Sequence, residues 1–227
     1  MEKIKIQDPY FGRPEVSNSD LSALQELLFP RPQFGDKEKA YAFGTLLDNL
    51  ITEADKVDLF NLKVMYQTYP YTQADFDLAR AMKRAYLKDP IGKMFNDHSD
   101  FQAISTRYNW VMNYNGFEFV LSAGTRCKWD LLIRKWKMGG DIKSTAAETQ
   151  SQFEAACEYF GYYRSRSWYM DIEGTDKDML IGISKVNQKV FKIPINRGDK
   201  LYLHGRAQYE ELAFKYWMLF DGLKISA

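Results

Sequence analysis

A chain of 227 residues, 45% apolar and 15% aromatic, can bury a sizeable core, which excludes the disordered and fibrous classes. A formal net charge of +1 excludes a polyanion-binding field over the whole surface, so nucleic acid would have to be met by a local positive cluster. No apolar run reaches membrane-spanning length, the start Met1–Gln7 lacks the apolar core of a secretory signal, and Cys127 and Cys157 make no disulfide framework; a cytoplasmic location without membrane contact is expected.

In chain order, Ser17 or Ser19 can cap a short helix that runs to Leu28 and is stopped by Pro30 and Pro32. Lys39 to Ala54 reads as a second helix, with Phe43, Leu46, Leu47, Leu50, Ile51 and Ala54 on one apolar stripe. Asp48 lies at the margin of that stripe, placed either as a solvated boundary residue or to reach toward a metal, with Gly44 letting another backbone come close. A basic amphipathic helix follows from Thr72 to Lys88, opened by Thr72-x-x-Asp75 and ended near Pro90. Its charged face (Arg80, Lys83, Arg84, Lys88) needs no role beyond solvation.

Tyr108 to Leu121 alternates around Asn115-Gly116, a strong hairpin signal. Thr125 to Arg134 reads as a third strand and the stretch through Asp141 as a fourth, giving an antiparallel meander. Trp129, Leu131 and Ile133 would form the apolar face of the third strand. A symmetric turn at Lys135-Trp136 would place Asp130 directly opposite Asp141, with Lys143 on the same face as Asp141. Two carboxylates that close repel unless a cation or proton sits between them, and oxygen ligands suit magnesium or manganese. Taken alone, Asp-x-Lys on an exposed strand is more often an ordinary surface pair than a catalytic one.

Beyond it, Thr145-x-x-Glu148 reads as a capping box for one long helix reaching Asp171. Arg164, Ser165, Arg166 and Tyr169 lie on that helix, and arginines with a tyrosine suit a phosphate backbone, as they also suit a surface ion-pair network. Met179–Val186 and Lys189–Ile195 form a hairpin turning at Asn187-Gln188, and Leu201–Phe220 closes the chain as a helix. One domain over residues 1–227 is expected.

The order of elements resembles the PD-(D/E)XK nucleases, in particular the RecE-, YqaJ- and RecB-like exonucleases of phages and recombination systems. Pro14-Glu-Val-Ser-Asn-Ser-Asp-Leu resembles the start of the RecE-like proteins, and Phe43-Gly-Thr-Leu-Leu-Asp48 their Phe-Gly-Thr-x-x-His motif. Cys127-Lys-Trp-Asp130 with Gly140-Asp141-Ile-Lys143-Ser-Thr145 resembles their Lys-x-x-Asp and Asp-x-Lys-Thr-Thr core. Phe160 to Tyr169 resembles the helix bearing Gln-x-x-x-Tyr. Asp48 stands where the family has histidine, and Ser165 where it has glutamine. A further acidic residue before the Asp130 strand has only Glu118 as a weak candidate.

The resemblance implies an α/β fold of the restriction-endonuclease type, a mixed central sheet flanked by helices with an N-terminal helical portion. It implies hydrolysis of DNA with magnesium or manganese held by Asp130, Asp141, the Ile142 carbonyl and Asp48, and Lys143 acting on the attacking water and the phosphate. Arg126, Lys128, Arg164, Ser165, Arg166 and Tyr169 would contact DNA. Double-stranded ends are the implied substrate, with a single-strand annealing protein and self-assembly as implied partners. An endonuclease of the same superfamily, or a non-catalytic DNA-binding protein motivated by Asp48 and Ser165, are the alternatives.

Overall fold

A computed structural model describes residues 8–30, 32 and 35–221; Met1–Gln7, with the expectation placed on them, lie outside the described residues. Ser17 caps α1 (Asn18–Leu28) in a reciprocal capping box with Asp20, and Asp36 caps α2 (Lys37–Thr52). A short hairpin, β1 (Val57–Asp58) and β2 (Lys63–Val64), leads to α3 (Gln73–Lys88), opened by the expected Thr72/Asp75 box. Pro90 does not end the helical region. Asp89 caps a new helix, α4 (Pro90–His98), and Pro90 takes the first-turn position where its missing N–H costs nothing.

Next come β3 (Asp100–Arg107), β4 (Met112–Tyr114), β5 (Phe117–Phe119), β6 (Thr125–Ile133) and β7 (Met138–Thr145). After them stand α5 (Gln150–Tyr159), α6 (Tyr162–Glu173), β8 (Lys177–Ser184), β9 (Val190–Asn196) and α7 (Lys200–Tyr216), the last continued by a π-helical turn to Asp221. The expected meander is corrected. β4 and β5 turn at Asn115-Gly116, both at positive φ, but form a separate two-stranded ribbon. The main sheet runs β3-β6-β7-β8-β9, and only β7 with β8 is parallel. A parallel neighbour needs a crossover connection, which α5 and α6 supply. This is the mixed sheet flanked by helices that the resemblance implies.

The single long helix expected from Thr145 is also corrected. Thr149, not Thr145, caps α5, and Gly161 at φ +68° breaks the chain between α5 and α6. That break resets which side chains of α6 face the sheet.

One core, with Phe43, Leu46, Phe76, Met82 and Phe95, lies under α2, α3 and α4. The other, with Trp129, Phe153, Trp168 and Tyr209, lies under α5, α6 and α7. The helices α6 and α7 cross closely at Gly205, where an added Cβ would sit 2.2 Å from the Tyr163 carbonyl oxygen. Gly205→Ala should therefore cost about 2 kcal/mol or more in urea unfolding. At Gly44 an added Cβ meets only Ser144 Oγ, at 3.8 Å, so the expected close backbone approach is absent.

Candidate active site

The β6–β7 hairpin has the register expected from its turn: Ile133 pairs with Met138, Leu132 with Gly139 and Leu131 with Gly140. The next pair in that register is Asp130 with Asp141, and there the ladder stops. Beyond it β7 stays paired with β8, so β6 and β7 part at the two carboxylates. Asp130 Oδ2 accepts the Ile142 N–H at 2.8 Å, replacing the ladder bond lost at the split.

The same point interrupts the β3–β6 ladder. Phe101–Leu131 and Ala103–Trp129 are paired, while Gln102, at φ +52°, and Asp130 between them are not. Side-chain alternation on β6 changes phase there. Cys127, Trp129 and Leu132 enter the core under α6 and α7, whereas Leu131 and Ile133 enter the core under α2. The expectation of one apolar face through Trp129, Leu131 and Ile133 is thus corrected. A broken ladder frees a carboxylate from the pleat, and this is how Asp130 points across the split.

Asp141 is 5% exposed. Its Oδ1 accepts from Arg166 Nη1 at 2.9 Å, and its Oδ2 lies 2.5 Å from Lys143 Nζ. The Lys143 ion pair is what satisfies that buried oxygen. Asp48 reaches the same region from α2. Gln102 Nε2 donates to both its oxygens at 3.1 Å, and Thr52 Oγ1 to Oδ1 at 3.3 Å.

Burial pushes Asp48 up to about 6, with Asp141 adding to the shift and Lys143 and Lys128 opposing it. Burial, then the charges of Asp48 and Asp141, push Asp130 well above the carboxylate range. Burial alone would lower the Lys143 amine, but Asp141 and Asp130 outweigh it and hold Lys143 above the ordinary lysine range. Lys143 therefore keeps its proton, which suits it to stabilise anionic charge better than to accept a proton.

Four carboxylates (Asp48, Asp130, Asp141, Asp178) are set here against the two cations Lys143 and Arg166. The donors are all oxygen, so the set fits magnesium or manganese in its chemistry. The present side-chain directions do not gather it into a cage. Among the described residues, no three His, Cys, Asp or Glu side chains are placed to hold a metal ion. Asp48 is turned to Gln102, Asp130 to the Ile142 amide, and Asp141 to Lys143 and Arg166, so seating an ion requires some of these donors to be released.

A pH dependence follows. Asp48 ionises near 3.8 when unfolded and near 6 when folded, so between these values the native state retains a proton that the unfolded chain has lost. Stability from this group is fully present below the lower value and lost as pH rises through about 6. In EDTA, Asp48→Asn should melt several degrees above the parent at pH 7.5, with the difference shrinking toward pH 4.5. A constant difference across that range would contradict the assignment.

The expected DNA contacts divide. Arg126, Arg164 and Arg166 are buried and spend their guanidinium groups on protein acceptors, which corrects the expectation that they meet phosphate. Arg126 donates to the carbonyls of Arg13 and Glu15 and lies over the Tyr10 ring. Arg164 ties α6 to α1 through Asn18, Ser22 and Gln25. Arg166 bonds both oxygens of Asp178 as well as Asp141, and sits 4.8 Å from the Trp129 ring and 4.4 Å from the Tyr169 ring. Lys128 is half-buried and pairs with Asp8 at 3.1 Å. Ser165 and Tyr169 are half-buried, and the Tyr169 ring packs edge-on against Trp129. Glu118 lies exposed on β5, outside this cluster.

Two residues went unread in the sequence. Gln102 holds Asp48, and nothing in Asp100–Arg107 signals a left-handed residue inside a strand. Tyr162, the first residue of α6, lies with its ring 5.1 Å from Lys143 Nζ.

No family model matches the chain, and no curated protein is similar to it. Among solved structures, the chain is similar to a phage-related exonuclease from Haemophilus somnus 129PT, at 15% identity and TM-score 0.41, over 92% of this chain and 96% of that one. It is also similar to an alkaline exonuclease from Laribacter hongkongensis, at 12% identity and TM-score 0.38, over 96% of this chain and 95% of that one. Identities and TM-scores this low leave the geometry of the site to carry the functional reading.

Proposed function

We propose that the protein is a magnesium- or manganese-dependent deoxyribonuclease that hydrolyses DNA phosphodiester bonds. The observation that carries this reading is the parting of β6 and β7 at Asp130 and Asp141, with Lys143 against Asp141. Asp130, Asp141, the Ile142 carbonyl and Asp48 would hold the ion. When bound, it supplies a Lewis acid for the phosphate oxygens and acidifies an attacking water.

The chain's own groups do the rest. Arg166 fixes Asp141 through one carboxylate oxygen, and the other oxygen is held against Lys143. Lys143, kept protonated by its carboxylate neighbours, places positive charge where the phosphorane gathers negative charge.

The resemblance of residues 14–21, 43–48 and 127–145 to the RecE-like phage enzymes favours an exonuclease acting on double-stranded ends, in recombination or repair. An annealing protein and self-assembly are the partners consistent with that role. End-labelled linear duplex and closed-circular duplex, each with magnesium, test the reading. Release of mononucleotides from the linear form alone is expected. Nicking of the circle would make it an endonuclease, and inertness toward both, with either metal, would overturn the nuclease reading.

A further inference from the structure

We propose that Phe160 and Tyr162 form a stacking platform for unpaired nucleotides beside Lys143, so that the preferred substrate carries a single-stranded stretch next to the scissile phosphate. This rests on the nuclease reading for the position of that phosphate. The platform comes from the break between α5 and α6. Gly161, at φ +68°, sets the flanking rings nearly parallel, 5.6 Å apart with an interplanar angle of 23°. Phe160 is 59% exposed, so its face is not occupied by a core. The Tyr159 ring stands nearly perpendicular to it, with centroids 5.0 Å apart.

At the inner end the Tyr162 ring lies 5.1 Å from Lys143 Nζ, and Lys143 is the residue that contacts Asp141. The rings therefore run outward from the proposed catalytic lysine.

Exposed aromatic faces beside ammonium groups are what an unpaired nucleotide requires: a ring for the base and a cation for the phosphate. Paired bases stack on one another and offer only their edges to the grooves. Ring faces become available at an overhang or a frayed end. A protein partner would also cover exposed rings, but continuity with Lys143 favours a polyanion.

The test is binding of a short single strand containing 2-aminopurine, in EDTA so that no cleavage intervenes. Quenching is expected with the parent. Phe160→Ala should weaken binding about tenfold or more, while Phe160→Trp restores it. Trp136→Ala, which changes another exposed aromatic at the far end of the β6–β7 hairpin, should bind as the parent does. Equal binding by parent and Phe160→Ala, or no quenching, would overturn the platform and leave the rings for a protein contact. The two readings fail separately. Quenching without cleavage under magnesium would sink the nuclease assignment and leave the platform standing, whereas cleavage of overhanging duplex unaffected by Phe160→Ala would do the reverse.

Discussion

Arg166→Met should lower the free energy of unfolding by about 3–5 kcal/mol, because it strands two buried carboxylates without their cation. Arg166 and Asp178 are both fully buried, and Asp141 nearly so. The guanidinium also lies 4.8 Å from the Trp129 ring centre and 4.4 Å from that of Tyr169, so the change removes cation–π contacts as well as charge. Burial already pushes the Asp178 carboxyl upward against the opposing pull of Arg166. Without Arg166 it should take up a proton at neutral pH. Arg166→Lys should recover only part of the loss, since one ammonium cannot reproduce the fork that spans Asp178 and Asp141. Urea unfolding measures this, and a loss below about 1 kcal/mol would show that the ion-pair network is not what ties α6 to the sheet.

The second large effect is on the chemical step. Lys143→Met should reduce kcat by about 100- to 1000-fold while leaving DNA affinity within a few-fold of the parent. In the proposed mechanism it meets charge that exists fully only in the transition state, and its partner in the structure is Asp141. Asp141→Ala should abolish turnover and, by freeing Lys143, should not weaken DNA binding. Single-turnover kinetics on linear duplex, with affinity measured separately in EDTA, separates the two. If Lys143→Met raised KM and spared kcat, the lysine would be a substrate anchor only.

The register of the site hairpin was legible because a symmetric turn at Lys135-Trp136 fixes it, and the observed pairs from Ile133–Met138 to Leu131–Gly140 agree, although the ladder ends before Asp130 and Asp141. The helix starts at Ser17 and Thr72 were legible because capping boxes are local chemistry. What failed was non-local. Gly161 sits in a run that reads as one helix, and only the left-handed turn there decides that Arg164 faces α1 and Arg166 faces the sheet. Without it, both arginines look like surface charge. β3 was missed because an edge strand with mixed burial carries little alternation, and Gln102 at positive φ disrupts what there is. α4 was missed because Pro90 serves equally as a stop or as a first-turn residue, and Asp89 settles which.

The account stands or falls on a divalent ion being drawn to the split between β6 and β7. Calorimetric titration of manganese into the metal-free protein at pH 7.5 tests it directly. One site is predicted in the parent, lost in Asp130→Asn and in Asp141→Asn and weakened in Asp48→Asn, with protons released as it fills. Binding that survives both Asp130→Asn and Asp141→Asn, or none in a folded parent, would contradict it.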